Sequence, residues 1–393
     1  MSTYVCNKCF YVTEADEAPE KCVVCGMDKT AFTKVLFSKM TYIPDYWHDH
    51  LEEKIEKIHE NQIKAGPRGA SFGFITDIHW APNRKFSSAL LEKVMDECAV
   101  PYFFNGGDTV SGAGICSAKT IIRDLVSFSR TFSRLESRML WAIGNHDPAY
   151  YDVKEGTSYY SQNLSRTELY EYMFRYNTKY PDRTMSPDGT YFFADDKHHK
   201  VRHIVLNPYD TPNDDAHPDG KAVFNKFTTL GCRQAQLQWF ADVALDVPTS
   251  DWTVVLCSHT CPSSGEYIRN QEIILGLIKA FREGTTFDLA TTHEISEYNA
   301  HITADFRGRG GEFAVWVTGH THDDRVKVVD DTLCLSIISD WNHQHARLPM
   351  QRTNGTTNEH AFDIFTIDPE KHKLYVTRIG AGEDREFDYV AKK

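Results

Sequence analysis

The sequence FGFITDIH at residues 72–79 decides the fold, because it joins a short apolar run directly to two polar side chains. The run at 72–76 is typical of a strand buried on both faces. Asp77 and His79 follow where that strand should end. Side chains alternate along a strand, so both residues should point to the same side and could reach one metal ion.

Four further segments place polar residues at or just after a predicted strand. They are Gly106-Gly107-Asp108, Gly144-Asn145-His146-Asp147, Ser258-His259 and Gly319-His320-Thr321-His322. In open α/β sheets ligands bind at the carboxyl ends of the strands, so the fold should bring these segments to one rim. Each segment alone occurs by chance, but five in this order indicate one site.

The side chains of these segments suit a particular group of metals. Carboxylate oxygens and imidazole nitrogens together favour Mn, Fe, Zn or Co over softer ions. His320 and His322 repeat the spacing of Asp77 and His79. Asp108 follows two glycines that let the backbone approach closely, which makes it the natural bridge between two cations. The sequence therefore predicts a binuclear metal site.

The same segments resemble the motifs of the calcineurin-like metallophosphoesterases, D-x-H, G-D, G-N-H-[DE], H and G-H-x-H, over about residues 71–345. The resemblance implies an α/β fold of α+β type, a four-layer sandwich of two mixed β-sheets flanked by helices. It implies one metal held by Asp77, His79 and His322, a second held by Asn145, His259 and His320, and Asp108 between them. Many relatives have an aspartate three residues after the bridging one, which orients the histidine of G-N-H, whereas this chain has Ser111.

The reaction implied is hydrolysis of a phosphomonoester or phosphodiester by a hydroxide that bridges two divalent or trivalent ions of Mn, Fe or Zn. His146 is the one histidine of the five segments not assigned to a metal, so we expect it to be the general acid or a donor to the phosphate. Asn145 is expected to contact substrate beside it. Asp147 either orients His146 or caps the turn before Pro148.

A second metal site is predicted in residues 1–36. Cys6-x2-Cys9 and Cys22-x2-Cys25 provide four thiolates, which favour a tetrahedral Zn or Fe site, and so short a segment needs a metal to fold. The segment resembles the rubredoxin-like module of rubrerythrins, in the residues Tyr4, Val5, Cys6, Cys9, Tyr11, Pro19, Cys22, Cys25, Gly26, Lys29 and Phe32. Phe10 and Val23 depart from the usual glycine and proline. The site is either a structural staple or a centre for electron transfer.

The remaining chain divides into two parts. Helical spacing of apolar residues predicts a helical connector at 37–70, packed on the main domain. From 71 to 393, strands alternate with helices, which predicts a largely parallel or mixed sheet covered by helices. Within it, strands are predicted at 253–257 and 325–329 among others. Residues 150–200 show weak periodicity and are interpreted as an insertion or lid.

Composition limits the function and the partners. The chain has 393 residues and a net charge of -12, which disfavours broad binding to nucleic acid or to anionic membranes. A phosphorylated small molecule or nucleotide is therefore the expected substrate. No run of residues is apolar enough to span a bilayer, the N-terminus lacks a secretory signal, and a cytoplasmic location is expected.

Two further functions compete with hydrolysis. In the first, the protein is redox-linked, and the rubredoxin-like module transfers electrons to a redox partner or regulates the dimetal centre. In the second, the protein is a scaffold that retains the fold without catalysis, although the complete set of ligand residues argues against this.

Overall fold

The computed structural model describes residues 2–6, 12–23, 26–35, 43–80, 85–112, 117–149, 151–152, 155–341 and 352–392. The strands, in chain order, are β1 Ser2–Cys6, β2 Val12–Ala15, β3 Phe32–Val35, β4 Ala70–Ile75, β5 Phe103–Asn105, β6 Met139–Trp141, β7 Arg183–Met185, β8 Phe192–Asp196, β9 Val201–Val205, β10 Thr253–Cys257, β11 Thr286–Thr291, β12 Ala300–Asp305, β13 Glu312–Thr318, β14 Arg325–Val329, β15 Thr332–Ser336, β16 Ala361–Asp368, β17 Lys373–Gly380 and β18 Arg385–Asp388. The α-helices are α1 His48–Ala65, α2 Lys85–Glu97, α3 Ala118–Thr131, α4 Arg166–Leu169, α5 Arg175–Thr178, α6 Gln234–Trp239 and α7 Gln271–Glu283. A π-helical turn, Tyr170–Phe174, joins α4 to α5, and another, Phe240–Ala244, extends α6.

Two mixed sheets form the body of the protein. One has the strand order β18-β17-β16-β4-β5-β6, with β4, β5 and β6 parallel to one another and β16 antiparallel to β4. The other has the order β14-β15-β13-β10-β9-β8-β7, with the parallel strands β15, β13, β10 and β9 at its centre. The carboxyl ends of the central strands of both sheets can therefore share one rim.

Apolar side chains separate the structure into four layers. Phe72 and Phe74 of β4 pack between the sheets against Val255 and Val317 of the other sheet. The outer face of the six-stranded sheet is covered by α1, α2 and α3, and that of the seven-stranded sheet by α6 and α7. Strands covered on both faces are apolar at nearly every position, as in β4 and β10. The predicted four-layer sandwich is confirmed.

The helix predicted at 37–70 is α1, and it packs on the main domain. Leu51, Ile55 and Ile58 lie on its buried face in the same core cluster as residues of β16 and β17. Asn61 donates a hydrogen bond of 3.1 Å to Thr377 of β17. None of the helices in the described part of the chain combines the length and apolarity needed to cross a bilayer.

Residues 150–200 were interpreted as an insertion or lid, but part of this segment belongs to the seven-stranded sheet. Their second half supplies β7 and β8, and β8 pairs with β9 in the seven-stranded sheet. The β11–β12 hairpin was not predicted either, although its first strand alternates between exposed and partly buried side chains. Strands β11 and β12 each expose one face to solvent, which accounts for their polar residues, whereas β8 is buried along most of its length.

The N-terminal residues form a small sheet of their own. Its strand order is β2-β1-β3, and Cys22 and Ala31 form a minor core beside it. So small a core provides little stability without a metal ion or another crosslink.

His203 of β9 is buried between the two sheets in an aromatic environment. Its ring centroid lies 5.6 Å from Phe72, 5.4 Å from Tyr102 and 5.7 Å from Phe104. Neither ring nitrogen has a hydrogen-bond partner within the described part of the chain. Burial lowers the pKa of His203 to about 4 from the usual 6.5. The neutral imidazole is therefore the form that the fold accommodates.

Acid should destabilise the protein through His203. Between pH 6.5 and pH 4, His203 is protonated in the unfolded chain but stays neutral in the folded chain. The free energy of unfolding therefore decreases as the pH decreases across this window. Over the whole window the loss from this residue should amount to about 3 kcal/mol, of which about 2 kcal/mol falls between pH 6.5 and pH 5. Urea unfolding at pH 7 and pH 5 should show a smaller pH dependence for His203→Leu than for the wild type. His217→Leu, at an exposed turn, is the control, and equal pH dependence of all three proteins would exclude this role.

Candidate metal centre

The five polar segments meet at one rim, and backbone hydrogen bonds connect them. The amides of Asp77 and His79 donate to the carbonyls of Gly107 and Asp108, each at 3.0 Å. The amide of His146 donates to the carboxylate of Asp108 at 2.8 Å. The amide of Gly319 donates to the carbonyl of His259 at 3.2 Å, and the amide of His320 to the carboxylate of Asp77 at 2.9 Å. The loops therefore form one connected frame.

Five of the seven residues predicted to bind the rim metals have a left-handed backbone, which is rare outside glycine. The φ angles are 51° at Asp77, 43° at His79, 49° at Asp108, 71° at His320 and 59° at His322. Such strained conformations cluster at functional sites, where the surrounding structure holds them in place.

Strand alternation was expected to point the side chains of Asp77 and His79 to the same side, and the backbone of these two residues does not support that reason. Strand β4 ends at Ile75, so both residues lie beyond it and strand alternation does not place their side chains. The left-handed turn that follows the strand directs them to the rim instead. The inference of a common side chain direction from strand geometry was wrong, although the two side chains do approach one another.

The first group of side chains consists of Asp77, His79, Asp108 and His322, which could together hold one metal ion. The Nε2 atoms of His79 and His322 lie 3.1 Å apart. The carboxylate of Asp77 lies 3.2 Å from His322 Nε2 and 4.0 Å from His79 Nε2. One ligand atom from each of the four residues lies within 4.8 Å of the others, which is close enough to share one cation.

The second group consists of Asp108, His259 and His320. Asp108 Oδ2 lies 3.2 Å from His259 Nε2, and His259 Nε2 lies 3.3 Å from His320 Nδ1. The Oδ1 atom of Asn145 lies 3.1 Å from both of these imidazole nitrogens. Asp108 thus belongs to both groups, with its Oδ2 also 3.8 Å from His79 Nε2.

The donor atoms fit two borderline divalent metals. Two pairs of imidazole nitrogens face each other at 3.1 and 3.3 Å, and nitrogens that both carry lone pairs repel unless a proton or cation lies between them. The carboxylates of Asp77 and Asp108 complete the first group. The carboxylate of Asp108 and the amide oxygen of Asn145 complete the second, and such a mixture suits Mn, Fe or Zn.

Electrostatics in the rim keep the carboxylates ionised. Burial alone would raise the pKa of Asp77, but His322 and His259 outweigh it and lower the pKa to about 2. His259 and His146 likewise lower the pKa of Asp108 against the effect of burial. Burial lowers the pKa of His79, while Asp108 overcomes burial and raises the pKa of His259 to about 10. Ionised carboxylates are the form that binds metal.

His146 lies at the edge of the rim, close to both groups. Its Nε2 atom is 3.7 Å from Asp108 Oδ2, and its side chain is 17% exposed. Its ring packs at 4.7 Å from His79 and 4.8 Å from Phe227. Its Nδ1 atom has no hydrogen-bond partner among the described residues, which agrees with the absence of an orienting aspartate at Ser111.

Asp147 is fully buried and binds backbone amides. Its two oxygens accept hydrogen bonds from Val110 at 3.1 Å and Gly144 at 2.8 Å. Burial, and then Asp108, raises the pKa of Asp147 to about 7. Of the two roles considered for this residue, these contacts favour holding the turn over orienting His146.

Four residues at the rim were not recognised from the sequence. Tyr209 donates its hydroxyl to Asn145 at 3.3 Å, and Glu266 lies 3.1 Å from His320 Nε2. Trp341 packs on His79 at 4.7 Å, and Phe227 stacks on Tyr151 at 4.5 Å. Of these four residues, only Tyr209 has a sequence position that could have indicated the site, because it follows soon after β9 as the five polar segments follow their strands.

The four-cysteine site is only partly described. Cys22 is buried, and Cys6 ends β1. Cys9 and Cys25 lie outside the described residues. The site formed by all four cysteines therefore stays a prediction.

The fold and the rim together define a metal-dependent phosphoesterase, and comparison with known families agrees. The profile of the calcineurin-like phosphoesterases matches residues 70–324, and the chain belongs to this family. The profile of the rubredoxin-like domain of rubrerythrin matches residues 4–33. The family implies a dimetal site, and the N-terminal module implies binding of iron or zinc.

Comparison with solved structures finds distant similarity. A conserved uncharacterized protein of Streptococcus pneumoniae TIGR4, described as a predicted phosphoesterase, has 11% identity and a TM-score of 0.28, with 81% of this chain and 97% of that one covered. The phosphopantetheinyl hydrolase of Mycobacterium tuberculosis has 13% identity and a TM-score of 0.30, with 70% and 91% covered. GAP50, the anchor in the inner membrane complex of Plasmodium, has 10% identity and a TM-score of 0.39, with 83% and 90% covered. No curated protein matches in sequence.

Proposed function

We propose that the protein hydrolyses a phosphomonoester or phosphodiester at a centre of two metal ions. One ion would be held by Asp77, His79 and His322, the other by Asn145, His259 and His320, and Asp108 would contact both. The observation that supports this arrangement most directly is the position of Asp108 Oδ2, 3.8 Å from His79 Nε2 and 3.2 Å from His259 Nε2. Mn, Fe or Zn would suit these ligands.

Bound metal ions would polarise the phosphoryl group and lower the pKa of a water molecule, which supplies the nucleophile. The residues of the chain contribute the rest. Asp77 and Asp108 provide the negative charge that holds the cations. Asn145 provides an oxygen ligand without further negative charge, so it does not repel a phosphate that approaches the second group. The buried, connected frame of the rim keeps these side chains in place before substrate arrives.

His146 is proposed to donate the proton that the leaving oxygen needs. Its Nε2 atom faces the rim near Asp108, and its side chain is partly exposed where a substrate would enter. The ring contacts with His79 and Phe227 hold it without a hydrogen bond to Nδ1. Asp147 is proposed to position this turn through its bonds to Val110 and Gly144 rather than to act on the substrate.

The loss of activity in the His146→Gln variant should depend on how much the leaving group of the ester needs a proton. Alkyl phosphates need a proton on the leaving oxygen, so kcat should fall by about 10²–10⁴-fold. Nitrophenyl phosphate has a stable leaving anion, so kcat for this ester should decrease much less. Metal content should stay as in the wild type. His301→Gln on the exposed β12 strand is the control. Equal losses on both kinds of ester would refute proton donation by His146.

The proposed hydrolysis is tested by metal content and turnover of the wild type. Two ions beyond the one at the four-cysteine site are expected, with hydrolysis of nitrophenyl phosphate or its diester. Activity should disappear on chelation and return with Mn, Fe or Zn. The ratio of monoester to diester turnover would narrow the substrate class. A full metal complement without hydrolysis of any ester would contradict the proposal.

The substrate is proposed to be a phosphorylated small molecule or a nucleotide, with nucleic acid disfavoured by the net charge of -12. We also propose that the chain divides into a metal-binding module at 1–36, a connector at 37–70 and the phosphoesterase domain at 71–393. The segments 150–200 and 208–230 contribute Tyr151, Tyr209 and Phe227 near the rim, and loops of this kind select substrates.

The rubredoxin-like module supports a second candidate, in which it passes electrons to a redox partner or controls the oxidation state of the dimetal centre. An iron ion held by four thiolates can be reduced and reoxidised, whereas a zinc ion cannot. Absorption and electron paramagnetic resonance spectra of the purified protein would decide. A reducible iron would favour this candidate, and zinc would leave the module a structural role.

A further inference from the structure

The imidazole of His320 is held at both of its nitrogen atoms. Nδ1 faces the rim, 3.1 Å from Asn145 Oδ1 and 3.3 Å from His259 Nε2. Nε2 points the other way and lies 3.1 Å from Glu266 Oε2. Glu266 belongs to none of the five segments and is not one of the residues grouped around the metal positions.

His259 shows the same arrangement with the nitrogens exchanged. Its Nε2 faces the rim, and its Nδ1 lies 2.8 Å from the carbonyl oxygen of Gly106. A carbonyl or carboxylate only accepts hydrogen bonds, so the outer nitrogen of each ring carries a hydrogen, and in the neutral ring that a metal would bind the inner nitrogen keeps its lone pair. The outer partner therefore fixes which nitrogen is available to a metal. His259 has a neutral partner, whereas His320 has a charged one.

We propose that Glu266 is a positioning residue that sets how tightly the group of Asp108, Asn145, His259 and His320 binds its metal ion. The inference rests on the proposed function, since it takes His320 as a ligand through Nδ1. A carboxylate that accepts the outer N–H orients the ring and increases the basicity of the inner nitrogen. Removal of such partners commonly weakens metal binding by about 10–100-fold.

The loop that carries Glu266 is anchored independently of this contact. The amide and hydroxyl of Ser264 both donate to the carbonyl of Cys261, at 2.9 and 2.6 Å. Arg325 donates to the carbonyl of Ser264 at 3.3 Å. The side chain of Glu266 is 48% exposed. A substitution there should change the partner of His320 without removing part of the core.

The test is Mn²⁺ binding to the full chain, measured by competition with a chelator, for wild type and Glu266→Gln. Glutamine keeps an acceptor oxygen but removes the charge. One of the two rim ions should bind about 10–100-fold more weakly and the other as in the wild type. Turnover should fall at limiting Mn²⁺ and recover at saturating Mn²⁺ with an unchanged KM. Glu272→Gln, whose carboxylate accepts hydrogen bonds from the exposed Tyr267 hydroxyl, is the matched control.

Each other result overturns the inference. Unchanged binding of both ions would show that Glu266 does not act on the metal. If Glu266→Gln bound both ions equally more weakly and had a lower melting temperature, Glu266 would have a general structural role. A raised KM that saturating Mn²⁺ does not restore would show contact with substrate. If the wild type binds no ions at the rim, the proposed function itself fails, which the wild-type titration reveals before any variant is compared.

Discussion

Replacement of Asp108 with asparagine is expected to lower kcat/KM for nitrophenyl phosphate by about 10³-fold or more, equivalent to about 4 kcal/mol of transition-state stabilisation. Asp108 is the one residue that both groups of ligands share. Asparagine has nearly the same shape, so the hydrogen bond from the His146 amide to this side chain can persist. The charge that attracts both cations is lost, however, and the metal content of the rim should fall with the activity.

The measurement combines elemental analysis of the purified protein with steady-state kinetics at several Mn²⁺ concentrations. Asp288→Asn, on the exposed face of the β11–β12 hairpin, is the control and should keep both metals and full turnover. If Asp108→Asn retained two rim ions and wild-type turnover, Asp108 would not bridge the metals, and the proposed centre would need different ligands.

The Gly144→Ala variant should be nearly as damaging without changing any proposed ligand. A Cβ atom at this position would lie 2.2 Å from both the amide nitrogen and the Oδ1 atom of Asp108, far closer than atoms approach one another. The aspartate loop or the Gly144 turn must therefore move. A displacement of about 1 Å at a catalytic centre can cost about 10²-fold in rate, and we expect at least that loss in kcat/KM.

Gly308→Ala is the matched control, because nothing lies within 4 Å of a Cβ atom there. Its φ of +74° makes alanine strained by about 1–2 kcal/mol, so it should lower the melting temperature slightly and leave turnover intact. Metal content, turnover and melting temperature of both variants separate local displacement from unfolding. Wild-type activity in Gly144→Ala would show that the rim tolerates movement, contrary to its tightly bonded frame.

Much of the fold could be predicted because the relevant information is local. Residues 253–257 and 325–329 were predicted as strands and form β10 and β14 with the same bounds. Short apolar runs followed by polar turns are recognisable without knowledge of the partner strand. Strands β7 and β8 were missed because their surroundings are polar, and their place in the sheet depends on β9.

For this protein the sequence alone determined which polar residues meet at the rim and in what order they occur along the chain. The polar residues predicted to bind the metals lie at one rim because each follows a strand end, and strand ends meet by the geometry of the sheets. Only the tertiary structure decided how they are held. The left-handed backbone of Asp77 and His79, the outward nitrogen of His320 and its partner Glu266 depend on contacts between loops distant in the chain. Local patterns do not encode such contacts, because each is set by the packing of two sheets against one another.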